Sequence, residues 1–195
     1  VAINGFSKYY AMTGWRLGYM ITPIEWMPAA ARLHQNLMIS ATEFVQEAGV
    51  QVLREGRQTC EIMKEEFNRR RIFMLHRLKE LGMDPGYQPD SAFYIFLRYR
   101  DQGRPSFEFS LEILEKTGVA LTPGIDFGPG GEGFLRFSYA NSMENLEKAL
   151  NRLKEKDRAN AEAGLRYNGW EMNETGWVEP ASQYLQTEIH PSSRG

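Results

Sequence analysis

An amine and a guanidinium lie eight residues apart near the start of this 195-residue sequence, at Lys8 and Arg16. The lysine falls in a predicted loop, and the arginine falls on a strand predicted over residues 15–21, which are apolar, β-prone and expected to be buried. Gly14 and Gly18 flank the arginine and carry no side chain that would block a flat anionic group such as a phosphate. An isolated lysine or arginine is usually a solvated surface charge, so the two residues alone leave that interpretation open.

A second candidate, Arg136, lies between Leu135 and Phe137 on a strand predicted over residues 133–139. A guanidinium buried among apolar neighbours needs a partner that brings negative charge and two acceptors in one plane. An α-carboxylate meets both needs. An internal ion pair with Asp or Glu meets them too, and it is the commoner explanation for an arginine whose surroundings are unknown.

Two stretches of the sequence resemble signatures of the class I/II aminotransferases. Residues 5–19 read Gly-Phe-Ser-Lys-Tyr-Tyr-Ala-Met-Thr-Gly-Trp-Arg-Leu-Gly-Tyr, which is similar to the cofactor-lysine signature Gly-x-Ser-Lys followed by Gly-x-Arg-x-Gly. Residues 135–140, Leu-Arg-Phe-Ser-Tyr-Ala, resemble the strand that carries the substrate-carboxylate arginine in this family. So long a match is far more specific than a lone glycine-rich motif. The resemblance covers about residues 1–156.

The resemblance implies a role for each matching position. Lys8 would carry pyridoxal 5′-phosphate as a Schiff base and act as the catalytic base. Arg16 would bind the cofactor phosphate, to which Ser7 would add a hydroxyl. Arg136 would bind the substrate carboxylate. The implied fold is α/β, namely the C-terminal portion of the fold-type-I pyridoxal-phosphate transferase fold.

The implied reaction is amino-group transfer from an α-amino acid to a 2-oxo acid, in a cytoplasmic homodimer with active sites at the subunit boundary. Two alternatives stay open. Another fold-type-I enzyme, such as a carbon–sulfur lyase or a cyclopropane-forming synthase, reuses the same lysine and arginines for elimination. A transcription regulator can carry a non-catalytic aminotransferase-like effector domain, and an upstream winged helix would identify it.

The resemblance also bears on the substrate range. Relatives specific for dicarboxylates place a second arginine between the lysine strand and the long helix. Residues 36–42, Asn-Leu-Met-Ile-Ser-Ala-Thr, contain no arginine. We therefore expect neutral or aromatic amino acids as substrates.

Helical periodicity predicts helices over residues 28–54, interrupted near 39–42, and over 59–81, 106–116 and 142–156. Strands are predicted over residues 1–3, 15–21, 91–99, 119–122 and 133–139. We expect three parts: residues 1–28 as the remnant of a large cofactor-binding domain, residues 29–158 as a small C-terminal domain, and residues 159–195 as a loosely ordered polar tail.

Composition excludes several classes of protein. The net charge of -2 gives no electrostatic reason to expect a nucleic-acid partner. No apolar run approaches the roughly 20 residues that span a bilayer. The single cysteine, Cys60, favours a reducing compartment, and the three histidines lack metal-ligand spacing. The sequence opens inside a strand-like run, so we expect a chain cut at its N-terminus and inactive alone.

Overall fold

In a computed structural model of the chain, the described residues are 1–99 and 103–162, with side chains described as far as residue 156. The chain divides into two compact units, Val1–Glu66 and Phe67–Gly195, and the division falls inside a long helix. The boundaries expected after residues 28 and 158 concern the domains of the complete protein and stay predictions. Residues 163–195, most of the predicted tail, lie outside the described residues.

The first unit contains an antiparallel strand pair and helices. Strands β1 (Ala2–Gly5) and β2 (Gly18–Ile21) pair so that Ala2 lies opposite Ile21 and Gly5 opposite Gly18. Helices α1 (Met27–Met38) and α2 (Glu43–Glu55) follow, and then the first part of α3 (Arg57–Glu80). The break between α1 and α2 lies where the sequence predicts it, with Thr42 as the N-cap of α2.

The strand predicted over residues 15–21 is wrong in its first half and in its burial. Thr13–Trp15 form a 3-10 turn, Arg16 adopts a left-handed conformation with φ 52°, and β2 begins only at Gly18. All four residues of β2 are exposed. Apolar, β-prone composition predicts strand tendency but carries no signal for a local chain reversal, which depends on the dihedral angles of single residues.

The second unit contains a three-stranded antiparallel sheet with helices packed on it. Its strands are β3 (Tyr94–Arg98), β4 (Thr122–Pro123) and β5 (Phe134–Ser138), in the spatial order β3-β5-β4. Helix α4 (Ser106–Thr117) connects β3 to β4, and α5 (Met143–Glu162) follows β5. The strands are shorter than predicted, and α5 runs beyond the predicted end at residue 156, in a stretch containing two alanines, the best helix formers.

The core of the second unit lies on one face of this sheet. Alternate residues of β3 and β5 point into it, and they meet apolar side chains from α3, α4 and α5. Its most deeply buried members include Leu78, Ile95, Leu97, Phe109, Ile113, Leu135, Phe137, Tyr139 and Leu150. The intervening residues, Arg136 among them, lie on the opposite face of the sheet.

The predicted C-termini of α3 and α4 and the predicted N-terminus of α5 are confirmed in this unit. Gly82 follows α3 with φ 70°, and Gly118 ends α4 in the left-handed conformation, where its amide donates to the Leu114 carbonyl at 2.8 Å. At the start of α5, the Asn145 amide donates to the Ser142 hydroxyl at 3.2 Å. Local capping chemistry sets these ends, and for that reason they can be predicted from sequence.

Candidate active site

A loop of residues 6–17, called the lysine loop below, joins β1 to β2 and carries three of the four predicted site residues. The ladder of the strand pair ends at Gly5 and Gly18, and the Phe6 amide then donates to the Leu17 carbonyl at 3.1 Å. Phe6 is buried, and its ring packs against Tyr10 and Tyr19. The loop is thus closed at its base by backbone hydrogen bonds and filled by an aromatic side chain.

Inside the lysine loop, hydrogen bonds connect Ser7 to Arg16 through Thr13. The Thr13 hydroxyl donates to the Ser7 carbonyl at 2.8 Å, and Arg16 Nη1 donates to the Thr13 carbonyl at 3.1 Å. The left-handed conformation of Arg16 is uncommon for a residue with a side chain. This network holds the predicted phosphate arginine to the backbone beside the predicted lysine.

Lys8 lies in the turn at the far side of the lysine loop, and its side chain is exposed. Its carbonyl accepts the Ala11 amide at 3.2 Å, and Ala11 takes a positive φ of 55°. The next carbonyl, that of Tyr9, accepts a hydrogen bond from the Cys60 thiol at 3.4 Å. The turn that presents Lys8 is therefore held from within the loop and also from helix α3.

Cys60 is a buried packing residue of this unit. Burial raises the pKa of the Cys60 thiol, and the neighbouring Glu61 carboxylate raises it further. Such a thiol is a weak nucleophile at neutral pH. Sequence reasoning used Cys60 only to infer the compartment and missed its contact with the lysine loop, because that contact joins residues distant in the chain.

Arg136 lies in the second unit, in the middle of β5, where it pairs with Phe96 on one side and Thr122 on the other. Its guanidinium carbon is 4.2 Å from the centroid of the Tyr94 ring and 4.8 Å from that of the Phe127 ring. Nη2 donates to the Thr122 hydroxyl at 3.1 Å. The guanidinium is thus held between two rings, which is a favourable setting for a cation.

The expectation that Arg136 is buried among apolar neighbours is corrected by the strand geometry. Leu135 and Phe137 point into the core, whereas Arg136 points to the opposite sheet face and is half-buried. Among the described residues it has no ion pair with an acidic side chain, and its buried Nε has no hydrogen-bond acceptor. The alternative of an internal ion pair therefore has no partner in the part of the chain that the structure describes.

The sequence did not predict which side chains surround Arg136. Tyr94 and Phe96 belong to the same face of β3, and Phe127 ends a 3-10 turn at Gly124–Phe127. The alternation along β3 shows which of its residues share a face, but no local signal predicts that β3 and β5 are neighbours. Only the pairing of strands distant in the chain brings these rings to Arg136.

Two other features, a metal-binding cluster and a membrane-spanning helix, are absent from the described residues. No group of three His, Cys, Asp or Glu side chains there is placed to hold a metal ion. No helix within residues 1–99 and 103–162 is at once long enough and apolar enough to cross a bilayer. His190, one of the three histidines, lies outside the described residues.

Comparisons with known proteins identify the family of the chain. The family model for aminotransferase class I and II matches residues 1–153. A (5-formylfuran-3-yl)methyl phosphate transaminase of Methanocaldococcus jannaschii is 44% identical over 156 residues, which are 80% of this chain and 41% of that protein. An aspartate aminotransferase of Pyrococcus horikoshii is 41% identical, over 78% of this chain and 40% of its own length.

Solved structures give the same result. The crystal structure of an aromatic aminotransferase from Pyrococcus horikoshii OT3 superposes with a TM-score of 0.74 at 39% identity, covering 84% of this chain and 43% of that one. An aminotransferase from Mycobacterium tuberculosis gives 0.75 at 34% identity, covering 80% and 41%. The chain belongs to the class I and II aminotransferase family. Its mixed α/β structure is part of the fold-type-I architecture, and it spans about two fifths of the length of the curated relatives it matches.

Proposed function

We propose that the complete protein transfers an amino group from an α-amino acid to a 2-oxo acid, with pyridoxal 5′-phosphate as its cofactor. The surroundings of Arg136 carry the proposal, together with family membership. Its guanidinium lies between two rings, its Nε is buried without an acceptor, and no acidic side chain of the described residues pairs with it. A half-buried cation in this state is suited to a carboxylate supplied from outside the chain.

The lysine loop fits pyridoxal phosphate in the chemistry of its donors. The cofactor offers an aldehyde and a phosphate, and the loop offers the amine of Lys8, the guanidinium of Arg16 and the hydroxyl of Ser7. Arg16 is exposed and uses one hydrogen bond, from Nη1 to the Thr13 carbonyl, so further donors of its guanidinium point to solvent. A Cβ added at Gly14 would meet no atom within 4 Å, which leaves open space beside Arg16.

Each predicted site residue has a separate role in the proposed reaction. Lys8 would hold the cofactor covalently through Nζ, and its amine, when free, would take the proton from the substrate Cα. Arg16 and Ser7 would hold the phosphate, and Arg136 would orient the substrate through its carboxylate. The bound cofactor supplies an electron sink for the electron pair left on the substrate when that proton departs. As the resemblance implies, we propose a cytoplasmic homodimer with small-molecule amino and 2-oxo acids as its partners.

A product assay tests this proposal. The complete protein with pyridoxal phosphate is incubated with one amino acid and one 2-oxo acid, and both products are quantified. We expect a new 2-oxo acid and a new amino acid in equal amounts. Release of ammonia or a thiol without a new amino acid would instead identify an eliminating enzyme, and binding without any product would favour a regulatory domain.

Replacing Arg16 with alanine is expected to weaken cofactor retention before it affects substrate affinity. Charge-assisted hydrogen bonds contribute about 1.5–3 kcal/mol each, so the dissociation constant of pyridoxal phosphate should rise roughly 10- to 150-fold. Equilibrium dialysis followed by absorbance measures it. Arg54→Ala, on exposed helix surface, is the matched control and should bind as the wild type does. Equal cofactor affinity in the two variants would remove Arg16 from the phosphate site.

The substrate range is predicted from the stretch that joins α1 to α2. Residues 36–42 contain no basic side chain to pair with a distal carboxylate. Relatives of similar identity are named for aspartate and for aromatic amino acids, so likeness alone does not choose between them. We expect kcat/KM for alanine, methionine or phenylalanine to exceed that for aspartate and glutamate by at least about tenfold, which is the effect of roughly 1.4 kcal/mol. Steady-state assays with the five donors measure it, and faster turnover of the two acidic donors would contradict the prediction.

A further inference from the structure

The two rings that enclose Arg136 are held in different ways. Tyr94 belongs to β3 and is fixed by the ladder of the sheet. Phe127 ends the 3-10 turn at Gly124–Phe127, and the residue is 51% exposed. It touches the Phe96 ring edge-on at 5.6 Å. Phe127 is not part of the strand ladder, so its place over Arg136 depends on the contact with Phe96 and on what fixes the turn.

Two contacts fix this turn. The first is a close approach of backbone to backbone, because a Cβ added at Gly124 would lie 1.8 Å from the Gly131 carbonyl oxygen. The second is a hydrogen bond from the Ile125 amide to the Ser106 hydroxyl at 3.1 Å. The position of the turn is therefore tied to the first residue of helix α4.

Ser106 is in turn tied to Glu132. Ser106 is fully buried, its amide donates to Glu132 Oε1, and its hydroxyl donates to Oε2 at 3.2 Å. The Gly133 amide also donates to Oε1 at 3.2 Å, and the Tyr99 hydroxyl lies 3.1 Å from the same atom. One carboxylate thus joins the N-terminus of α4, the end of β3 and the entry to β5. The side chains of Glu132 and Ser106 are called the latch below.

The charge of Glu132 suits this arrangement. Partial desolvation raises the pKa of Glu132, but the hydrogen bonds from the Ser106 and Gly133 amides and from the two hydroxyls outweigh it, and its pKa lies below the usual value. A carboxylate at a helix N-terminus is also stabilised by the helix dipole. Glu132 is therefore ionised at neutral pH, which is the state that accepts all of these hydrogen bonds.

We infer that Glu132 and Ser106 are positioning residues that hold Phe127 over the guanidinium of Arg136 and so tune its affinity for a substrate carboxylate. The hydroxyl of Ser106 is the connecting group, since it donates to Glu132 and accepts from the turn that ends in Phe127. The effect on substrate affinity rests on the proposed function of Arg136, whereas the effect on the ring does not.

The ring position can be measured without activity, by NMR of the ¹⁵N-labelled 195-residue chain. Arg136 Nε is buried and the guanidinium lies over two rings, so we expect the Nε proton to exchange slowly and to be shifted upfield by the ring currents. Arg136→Lys identifies the resonance, and Phe127→Leu gives the shift caused by losing one ring. We expect Ser106→Ala and Glu132→Gln to move the resonance downfield, in the direction of Phe127→Leu and by a measurable part of that change.

Two matched variants control for general loss of structure. Ser110→Ala removes a hydroxyl of the same helix that donates to the Phe107 carbonyl, and Glu144→Gln neutralises an exposed carboxylate of α5 paired with Lys148. Both should leave the Arg136 resonance in place. Ile125→Pro removes the amide hydrogen that the Ser106 hydroxyl accepts, and the Ile125 side chain is exposed. If either latch variant does not fold, this variant replaces it, and the same downfield movement of the Arg136 resonance is expected. Folded latch variants with an unmoved resonance would overturn the inference.

Titration with pyruvate separates this inference from the proposed function. If Arg136 binds carboxylates, pyruvate shifts its Nε resonance, and the latch variants require more pyruvate for the same shift. In the complete enzyme, they should raise KM for the amino donor about two- to thirtyfold, the range for weakening one cation–π contact, with cofactor content unchanged. If the latch variants move the resonance but pyruvate does not, the positioning role of Glu132 and Ser106 is supported, and the proposal that Arg136 binds a carboxylate is refuted.

Discussion

Replacing Lys8 with alanine in the complete protein should remove the visible absorbance of the bound cofactor and nearly all transamination. Lys8 is the lysine of the loop that also holds Arg16, and the turn that presents it is fixed by the Ala11 and Cys60 hydrogen bonds. A positioned general base contributes about 10²- to 10⁴-fold, and loss of covalent attachment adds to this. Absorbance spectra and single-turnover assays with excess cofactor measure both effects.

The control for this variant is another lysine. Lys64 lies on α3 with its side chain 72% exposed and pairs with Glu61 at 3.0 Å, so Lys64→Ala should retain the spectrum and the rate. Borohydride reduction followed by peptide mass spectrometry locates the lysine that carries the cofactor. An adduct at any lysine other than Lys8 would refute the assignment.

Replacing Arg136 should raise KM for amino acids and leave the cofactor bound. Removing one partner of a buried, hydrogen-bonded charge pair costs about 2–5 kcal/mol, which corresponds to roughly 30-fold to several thousand-fold. Arg136→Ala removes the guanidinium. Arg136→Lys keeps the charge but loses the planar donors that match a carboxylate, so it should recover only part of the affinity.

This prediction is tested by steady-state kinetics with two substrates. One is the donor amino acid, and the other is the corresponding amine, which lacks the carboxylate. The amine should respond weakly to Arg136→Ala, because it has no carboxylate to lose. Arg152→Ala, on the exposed surface of α5, serves as the matched control with unchanged KM. If Arg136→Ala lowers cofactor retention as Arg16→Ala does, the roles of the two arginines have been assigned wrongly.

Sequence alone predicts the helices and their ends well, because capping is local. Gly118 and Ser142 each act on residues three to four positions away, and the two helix ends that they set agree with the structure, whereas α5 runs beyond its predicted end. The helical spacing of apolar residues likewise predicts α3.

The burial of α1 could not be predicted in the same way. The sequence places most of this amphipathic helix in the small domain, yet none of its residues is buried in this chain. A pattern predicts which face is apolar without showing what covers it.

The site residues were predicted through signature resemblance, and their surroundings were not. No local rule predicts that Arg16 is left-handed, because the cost of a positive φ is offset by contacts made elsewhere in the loop. Tyr94 and Phe127 meet Arg136 only after strands pair across a long separation in sequence. The sequence therefore indicates the chemistry of Arg136 but cannot supply the rings that enclose it.

The glycine-rich turn beside Phe127 also offers a place for a spectroscopic reporter. A Cβ at Gly130 would meet no atom within 4 Å, and its φ is not in the positive range that resists a side chain. The chain has one native thiol, and Cys60 is buried with a raised pKa. A fluorophore coupled to Gly130→Cys would therefore label one position selectively. Its emission would follow movements of the turn in real time, in wild-type and variant backgrounds alike.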